Sequence, residues 1–246
     1  KSYRILVGPT DRALMPVTAE PVSLGEGATP LVHLDRLGRR LGFPRLYAKD
    51  ESQNPTWSYK DRLCAVAVTH ALATGARVIT ISSTGNHGAS TAAYAARAGL
   101  PCVIFTLASV PETMKTLMQA YGAAVVACPT SESRWDLMRQ GIERFGWYPT
   151  SGFIAPPVGS NPWGVEGYKT IAYEVAEDLG WTAPDVVVVP SAYSAGRCAT
   201  HDHMASPARS VHGRSPVSNA PSRSLRCRSG SGILTAALPR KPFSTP

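Results

Sequence analysis

Between residues 45 and 189, short apolar runs alternate with longer segments of helical period, and this alternation limits the possible folds more than any other feature. Runs at 45–49, 77–82, 102–107, 123–127 and 185–189 read as strands. Segments at 60–73, 87–97, 112–121, 132–145 and 165–179 read as helices. Gly75, Gly99, Gly122 and Gly180 stand where those helices should stop, which suits their tolerance of left-handed backbone. The strand-like runs are continuously apolar, as expected when both faces of a sheet are covered. Repeated strand–helix order predicts an α/β fold, a parallel sheet covered by helices.

The pattern stops near Gly196. Residues 197–246 hold nine Ser, seven Arg and six Pro with one acidic residue, and only the short 232–238 stretch looks regular. This segment reads as an aberrant tail, either disordered or translated out of frame. The formal charge of +8 divides accordingly: seven Arg, one Lys and one Asp give the tail +7, leaving +1 for everything before it. The Arg residues are scattered among Ser and Pro, with no aromatic residue before Phe243 to stack on bases, so no nucleic-acid partner is expected.

No apolar run approaches the roughly 20 residues of a membrane span, and no membrane partner is expected. The first residues do not form a signal peptide, and the absence of an initiating Met suggests an incomplete start. Five Cys (64, 102, 128, 198 and 227) include no C-x-x-C pair. They argue against a disulfide framework or a zinc site and for a reducing, cytoplasmic setting. His201-Asp202-His203 has no further ligand cluster beside it, so no metal is expected.

Two segments carry chemistry. Asn54-Pro55-Thr56-Trp57-Ser58-Tyr59-Lys60-Asp61-Arg62 joins a loop to a helix. Ser58 and Asp61 have the spacing of a capping box, which starts the helix at Tyr59 or Lys60. The helix dipole opposes an ammonium in the first turn, which suits an amine that must attack an aldehyde in its neutral form. On local physics alone, a solvated surface lysine is the favoured reading. The second segment, Ser82-Ser83-Thr84-Gly85-Asn86-His87-Gly88-Ala89-Ser90, follows a strand and opens an Ala-rich helix. Free N–H groups at a helix start favour an anion, and Gly85 and Gly88 would let one approach the backbone. A plain turn with Ser and Asn caps is the alternative. The alanines of the helix (89, 92, 93, 95, 96, 98) read as close-packing residues.

The first segment resembles the lysine motif of threonine synthases and their relatives, the fold-type II, tryptophan synthase β-like pyridoxal-phosphate enzymes. Leu24-Gly25-Glu26-Gly27-Ala28-Thr29-Pro30-Leu31 and Lys49-Asp50-Glu51 resemble further motifs of that family in the same order, and the likeness runs from about residue 23 to 190. The resemblance implies that Lys60 bonds pyridoxal 5'-phosphate and that Asn86 contacts its ring. It implies that Ser83, Thr84, Gly85 and His87 hold the substrate carboxylate. It implies a large domain (1–82 and 152–196, incomplete) and a smaller α/β domain (83–151).

Two places depart from the family. Asn161-Pro162-Trp163-Gly164-Val165-Glu166-Gly167-Tyr168-Lys169-Thr170 resembles a threonine synthase stretch, but Gly164 and Tyr168 stand where Arg and Gln are common. An Arg fork would suit a substrate phosphate. Asn161 is either a substrate contact or a helix cap. After the strand ending at Pro190, a Gly-rich phosphate loop is expected. Ser191, Ala192, Tyr193 and Gly196 take its place, with Gly196 the only glycine.

The implied activity is that of a lyase in amino-acid metabolism, eliminating or replacing at the β or γ carbon of a small amino acid. Conversion of phosphohomoserine to threonine is the first choice. A Ser/Thr dehydratase, a diaminopropionate ammonia-lyase or a sulfur-transferring synthase is the alternative, and an inactive truncated or frameshifted product is a third. The intact relative is expected to be a homodimer.

Overall fold

The computed structural model describes residues 20–152 and 160–189, with the backbone of residues 236–239. In chain order it contains β1 (Leu31–His33), α1 (Asp35–Leu41), β2 (Tyr47–Lys49), a 3-10 turn at Glu51–Gln53, α2 (Lys60–Ala73), β3 (Ile79–Ser82), α3 (Asn86–Arg97), β4 (Cys102–Leu107), α4 (Glu112–Ala120), β5 (Ala124–Cys128), α5 (Ser131–Phe145) and β6 (Tyr148–Pro149). There follow α6 (Pro162–Val165), a second 3-10 turn (Glu166–Tyr168), α7 (Lys169–Asp178), β7 (Pro184–Val188) and β8 (Ala236–Pro239).

One sheet has the order β5-β4-β3-β6 and is parallel throughout. Successive strand residues face opposite sides, and each side has its own cover. Ile79, Ile81, Cys102 and Ile104 pack with Ala89, Ala92 and Ala95 of α3 and Met118 of α4. Phe105 packs with Met138 of α5 on the other side. The alanines thus bring α3 close to the sheet, while Ala93 and Tyr94 turn toward Leu63, Cys64, Ala67 and Val68 of α2. Helix α2 is buried on nearly every side, as the apolar run at 63–68 requires.

The second sheet, β1-β2-β8-β7, is antiparallel. Its strand β8 comes from the segment expected to be an aberrant tail, and it lies between β2 and β7, pairing Ala237 with Tyr47 and Val187. Three of those four residues fall in the 232–238 stretch that alone looks regular in the tail.

Three other boundaries differ from the sequence reading. Strand β3 hydrogen-bonds to β4 and β6, so the parallel sheet begins at residue 79, inside the segment assigned to the large domain. Residues 165–179 were expected to form one helix but break into α6, the 3-10 turn and α7. A Cβ on Gly167 would stand 2.0 Å from the Arg62 carbonyl oxygen, and one on Gly164 would stand 2.9 Å from Leu63 Cγ. The chain presses onto α2 there and the turn tightens. Third, the capping box is not formed. Ser58 Oγ accepts from the Lys60 N–H at 3.2 Å, but the Asp61 carboxylate turns back to accept from the Thr56 N–H at 2.7 Å and from the Ser90 hydroxyl at 2.6 Å.

Among the described residues no helix is long and apolar enough to cross a membrane, and no cluster of metal-ligating side chains occurs. Cys64, Cys102 and Cys128 are free and buried. His201-Asp202-His203, Cys198 and Cys227 lie outside the described residues.

Candidate active site

The start of α2 is fixed by a buried ionic knot that sequence reasoning missed. Arg62 is its centre. Nε donates to Glu51 Oε2 at 2.7 Å, Nη1 to Glu174 Oε1 at 2.6 Å and to the Thr170 hydroxyl at 2.7 Å, and Nη2 to Glu51 Oε1 at 2.8 Å and Glu174 Oε2 at 2.8 Å. Lys49 adds a second cation, 2.9 Å from Glu174 and 3.2 Å from Asp178. The Thr29 hydroxyl donates to Glu51, and the Asn54 amide bonds Glu51 while accepting from the Gly27 N–H.

Two buried cations face two buried carboxylates, so no charge is left uncompensated. Burial alone would lower the Arg62 pKa, but the bonds from Glu174 and the charges of Glu51 and Glu174 outweigh it and raise it. Burial would likewise raise the Glu174 pKa, yet Arg62 and Lys49 hold it down to about 2. Glu174 and Asp178 apart, the groups of the knot come from segments already singled out by motif. The signal that could have exposed it was the number of charged residues in segments that the fold must bury.

Two residues earlier on the same helix, Lys60 has different surroundings. Its amine is half-buried, 4.7 Å from the Tyr59 ring centre and 5.4 Å from that of Tyr168. Nζ donates to the Tyr168 hydroxyl at 2.9 Å. Asp61, its neighbour, is engaged with Thr56 and Ser90, and this ties the start of α2 to α3.

The segment leading into α3 divides its residues between structure and open space. Ser83 Oγ accepts from the Gly88 N–H at 3.0 Å and the Gly85 N–H at 3.3 Å, so it caps the helix itself. Gly88 is small for packing, since a Cβ there would meet Met118 Cε at 2.8 Å, and the expected role in ligand approach falls to Gly85 alone. A Cβ on Gly85 would meet nothing within 4 Å. Thr84 and Asn86 are exposed beside it. His87 Nε2 is buried without a hydrogen-bond partner. Burial, and then the Lys60 charge, push its imidazole well below the ordinary pKa, so the ring is neutral.

Asn161 is committed at both ends of its amide. Oδ1 caps α6 by accepting from the Gly164 N–H at 2.9 Å, and Nδ2 donates to the Pro149 carbonyl at 2.8 Å and the Tyr148 hydroxyl at 3.1 Å. Of its two expected roles, the geometry displays the cap. Ser191, Ala192, Tyr193 and Gly196 lie outside the described residues.

Lys60 and His87, expected from separate motifs, are therefore close enough for one charge to bias the other. Their surroundings also fit an aldehyde cofactor: a half-buried amine between aromatic rings, open space over Gly85, and an unpartnered buried ring nitrogen.

Comparison with known proteins agrees with this geometry. The chain is 37% identical over 181 residues to a threonine synthase of Methanosarcina acetivorans, covering 72% of this chain and 42% of that protein. It is 39% identical over 175 residues to a threonine synthase of Methanocaldococcus jannaschii, covering 69% and 40%. The chain thus spans less than half the length of these relatives. An apo diaminopropionate ammonia lyase from Escherichia coli shares the fold with a TM-score of 0.64 at 21% identity, over 73% of this chain and 56% of that one. The family described as pyridoxal-phosphate dependent enzyme matches residues 22–226, and the chain belongs to that family.

Proposed function

We propose that Lys60 holds pyridoxal 5'-phosphate through Nζ, in an enzyme that eliminates or replaces a group at the β or γ carbon of a small amino acid. The observation that carries this reading is the Lys60 amine itself. It sits half-buried at a helix start, outside any ion pair among the described residues and near enough to His87 of the Gly85 loop for its charge to bias that ring. In this reading Asn86 contacts the cofactor ring, and Thr84, Gly85 and His87 receive the substrate carboxylate. When bound, the cofactor supplies an electron sink for negative charge at the substrate α carbon. Lys60 Nζ, when not bonded to it, is placed to take the α proton. A neutral His87 can donate a hydrogen bond to a carboxylate without delivering a second charge to the site.

Threonine synthesis from phosphohomoserine is the first reading, on the strength of the relatives. A β-eliminating activity on an amino acid without phosphate is favoured by one observation. Gly164 lies against Leu63 and Ala67 with no space for a side chain, so no guanidinium fork for a phosphate can project there.

Treatment with pyridoxal phosphate and then borohydride tests the reading. A stable pyridoxyl group is expected on Lys60, and none in Lys60→Ala. A chain that traps none is a non-catalytic product. Phosphate release from phosphohomoserine, against 2-oxobutyrate or pyruvate formation from Thr and Ser, then separates the two activities.

A further inference from the structure

The Lys60 amine has a partner that its own segment did not announce. Tyr168 is fully buried, and burial drives its ionisation well above the ordinary range, so its hydroxyl stays neutral. The adjacent carboxylate, Asp61, is engaged elsewhere, by Thr56 and Ser90. The phenol is itself held firmly. Its ring lies 5.1 Å from that of Tyr59, and the turn carrying it is pressed against the Arg62 carbonyl at Gly167. It continues directly into α7, whose Thr170 and Glu174 bind Arg62.

We propose that Tyr168 is a positioning residue for Lys60: its hydroxyl holds Nζ between the two tyrosine rings whenever the amine is not covalently engaged. This rests on the reading of Lys60 given above. A neutral acceptor suits the task, because it orients an amine without the hold of a carboxylate, which would keep the amine charged and engaged.

The experiment uses the full chain without cofactor. Reductive methylation by formaldehyde and cyanoborohydride is followed at Lys60 by mass spectrometry, with Lys115 as internal reference. Tyr168→Phe keeps the ring and removes the acceptor, and the Lys60 rate is expected to rise about tenfold, the worth of one hydrogen bond to a charged group. Tyr168→Gln restores an acceptor oxygen and should bring the rate back toward wild type. A rate unchanged in Tyr168→Phe, or raised equally in both variants, overturns the proposal.

Should either variant fail to fold, 3-fluorotyrosine labelling reads the contact from the other side. The ¹⁹F resonance that moves on Lys60→Met in a Tyr59→Phe background belongs to Tyr168. If no resonance moves there, the proposal is overturned. Borohydride trapping on the wild type keeps the two readings apart. Failure to trap counts against Lys60 as cofactor lysine, while the methylation rates still judge the Tyr168 contact.

Discussion

Lys60 and Arg62 are cations two residues apart on one helix, and their surroundings are opposite. Arg62 is buried, and its guanidinium is bonded to two carboxylates and two threonine hydroxyls. Lys60 is half-buried and rests on a single neutral phenol. The lesson is a division of labour. The arginine fixes the helix start against three separate chain segments, while the lysine two residues away has no carboxylate partner. A site must hold its reacting group within a fraction of an ångström, and in the proposed reading of Lys60 that fixing falls to a neighbouring cation.

The sharpest way to break this contrast is to exchange which cation is lost. Arg62→Met leaves Glu51 and Glu174 buried without their main counter-charge, and chemical denaturation should show a loss of about 3–5 kcal/mol. Lys60→Met should cost about 1 kcal/mol or less. Equal losses at the two positions would dissolve the distinction.

Acid offers a milder test of the same knot. The Glu174 carboxyl is held down to about 2 from an ordinary 4.5. A depressed carboxylate stabilises the fold fully above the unfolded value and loses that contribution as pH falls through the folded value. Stability should therefore decline by roughly 3 kcal/mol at most between pH 4.5 and 2. Asp61 works against this decline, since burial raises its pKa and acid relieves it. Melting temperatures of wild type and Glu174→Gln, compared across that window, should fall less steeply in the variant.

The smallest expected effect lies on the lysine side. Trp57, three residues before Lys60, has φ of +57°, a left-handed conformation costly for a bulky residue, and it is 65% exposed, so little packing compensates. Trp57→Gly should stabilise by about 0.5–1 kcal/mol, measured by denaturant midpoint. A destabilised variant would mean that the exposed indole contributes more than its surroundings suggest.

What was legible in the sequence follows from how local each signal is. Strands β3, β4 and β5 announce themselves as apolar runs, and Gly75, Gly99 and Gly122, whose φ angles are all positive, mark the ends of the helices that precede them. Strand β1 and helix α1 did not. Val32 and His33 are exposed, and α1 is seven residues long without a side-chain cap. Lys60 was found through its motif. Its partner Tyr168 lies 108 residues away, and Glu174 lies 112 from Arg62. Pairings at such separations leave no periodic trace. Nor could a local reading tell whether Asn161 caps or binds, because its partners Pro149 and Tyr148 come from a strand too short to be noticed.

The span of the Arg62 bonds has a consequence for the order of events during synthesis. Glu51 leaves the ribosome shortly before Arg62, but Glu174 emerges more than a hundred residues later. Until then the guanidinium lacks its second carboxylate, and the helix bearing Lys60 cannot be sealed into the interior. The strands of the parallel sheet, all within 79–149, can pair in the meantime. The helix bearing Lys60 thus takes its second anchor from chain made more than a hundred residues later, and a nascent chain stopped before residue 174 would present that helix not yet anchored.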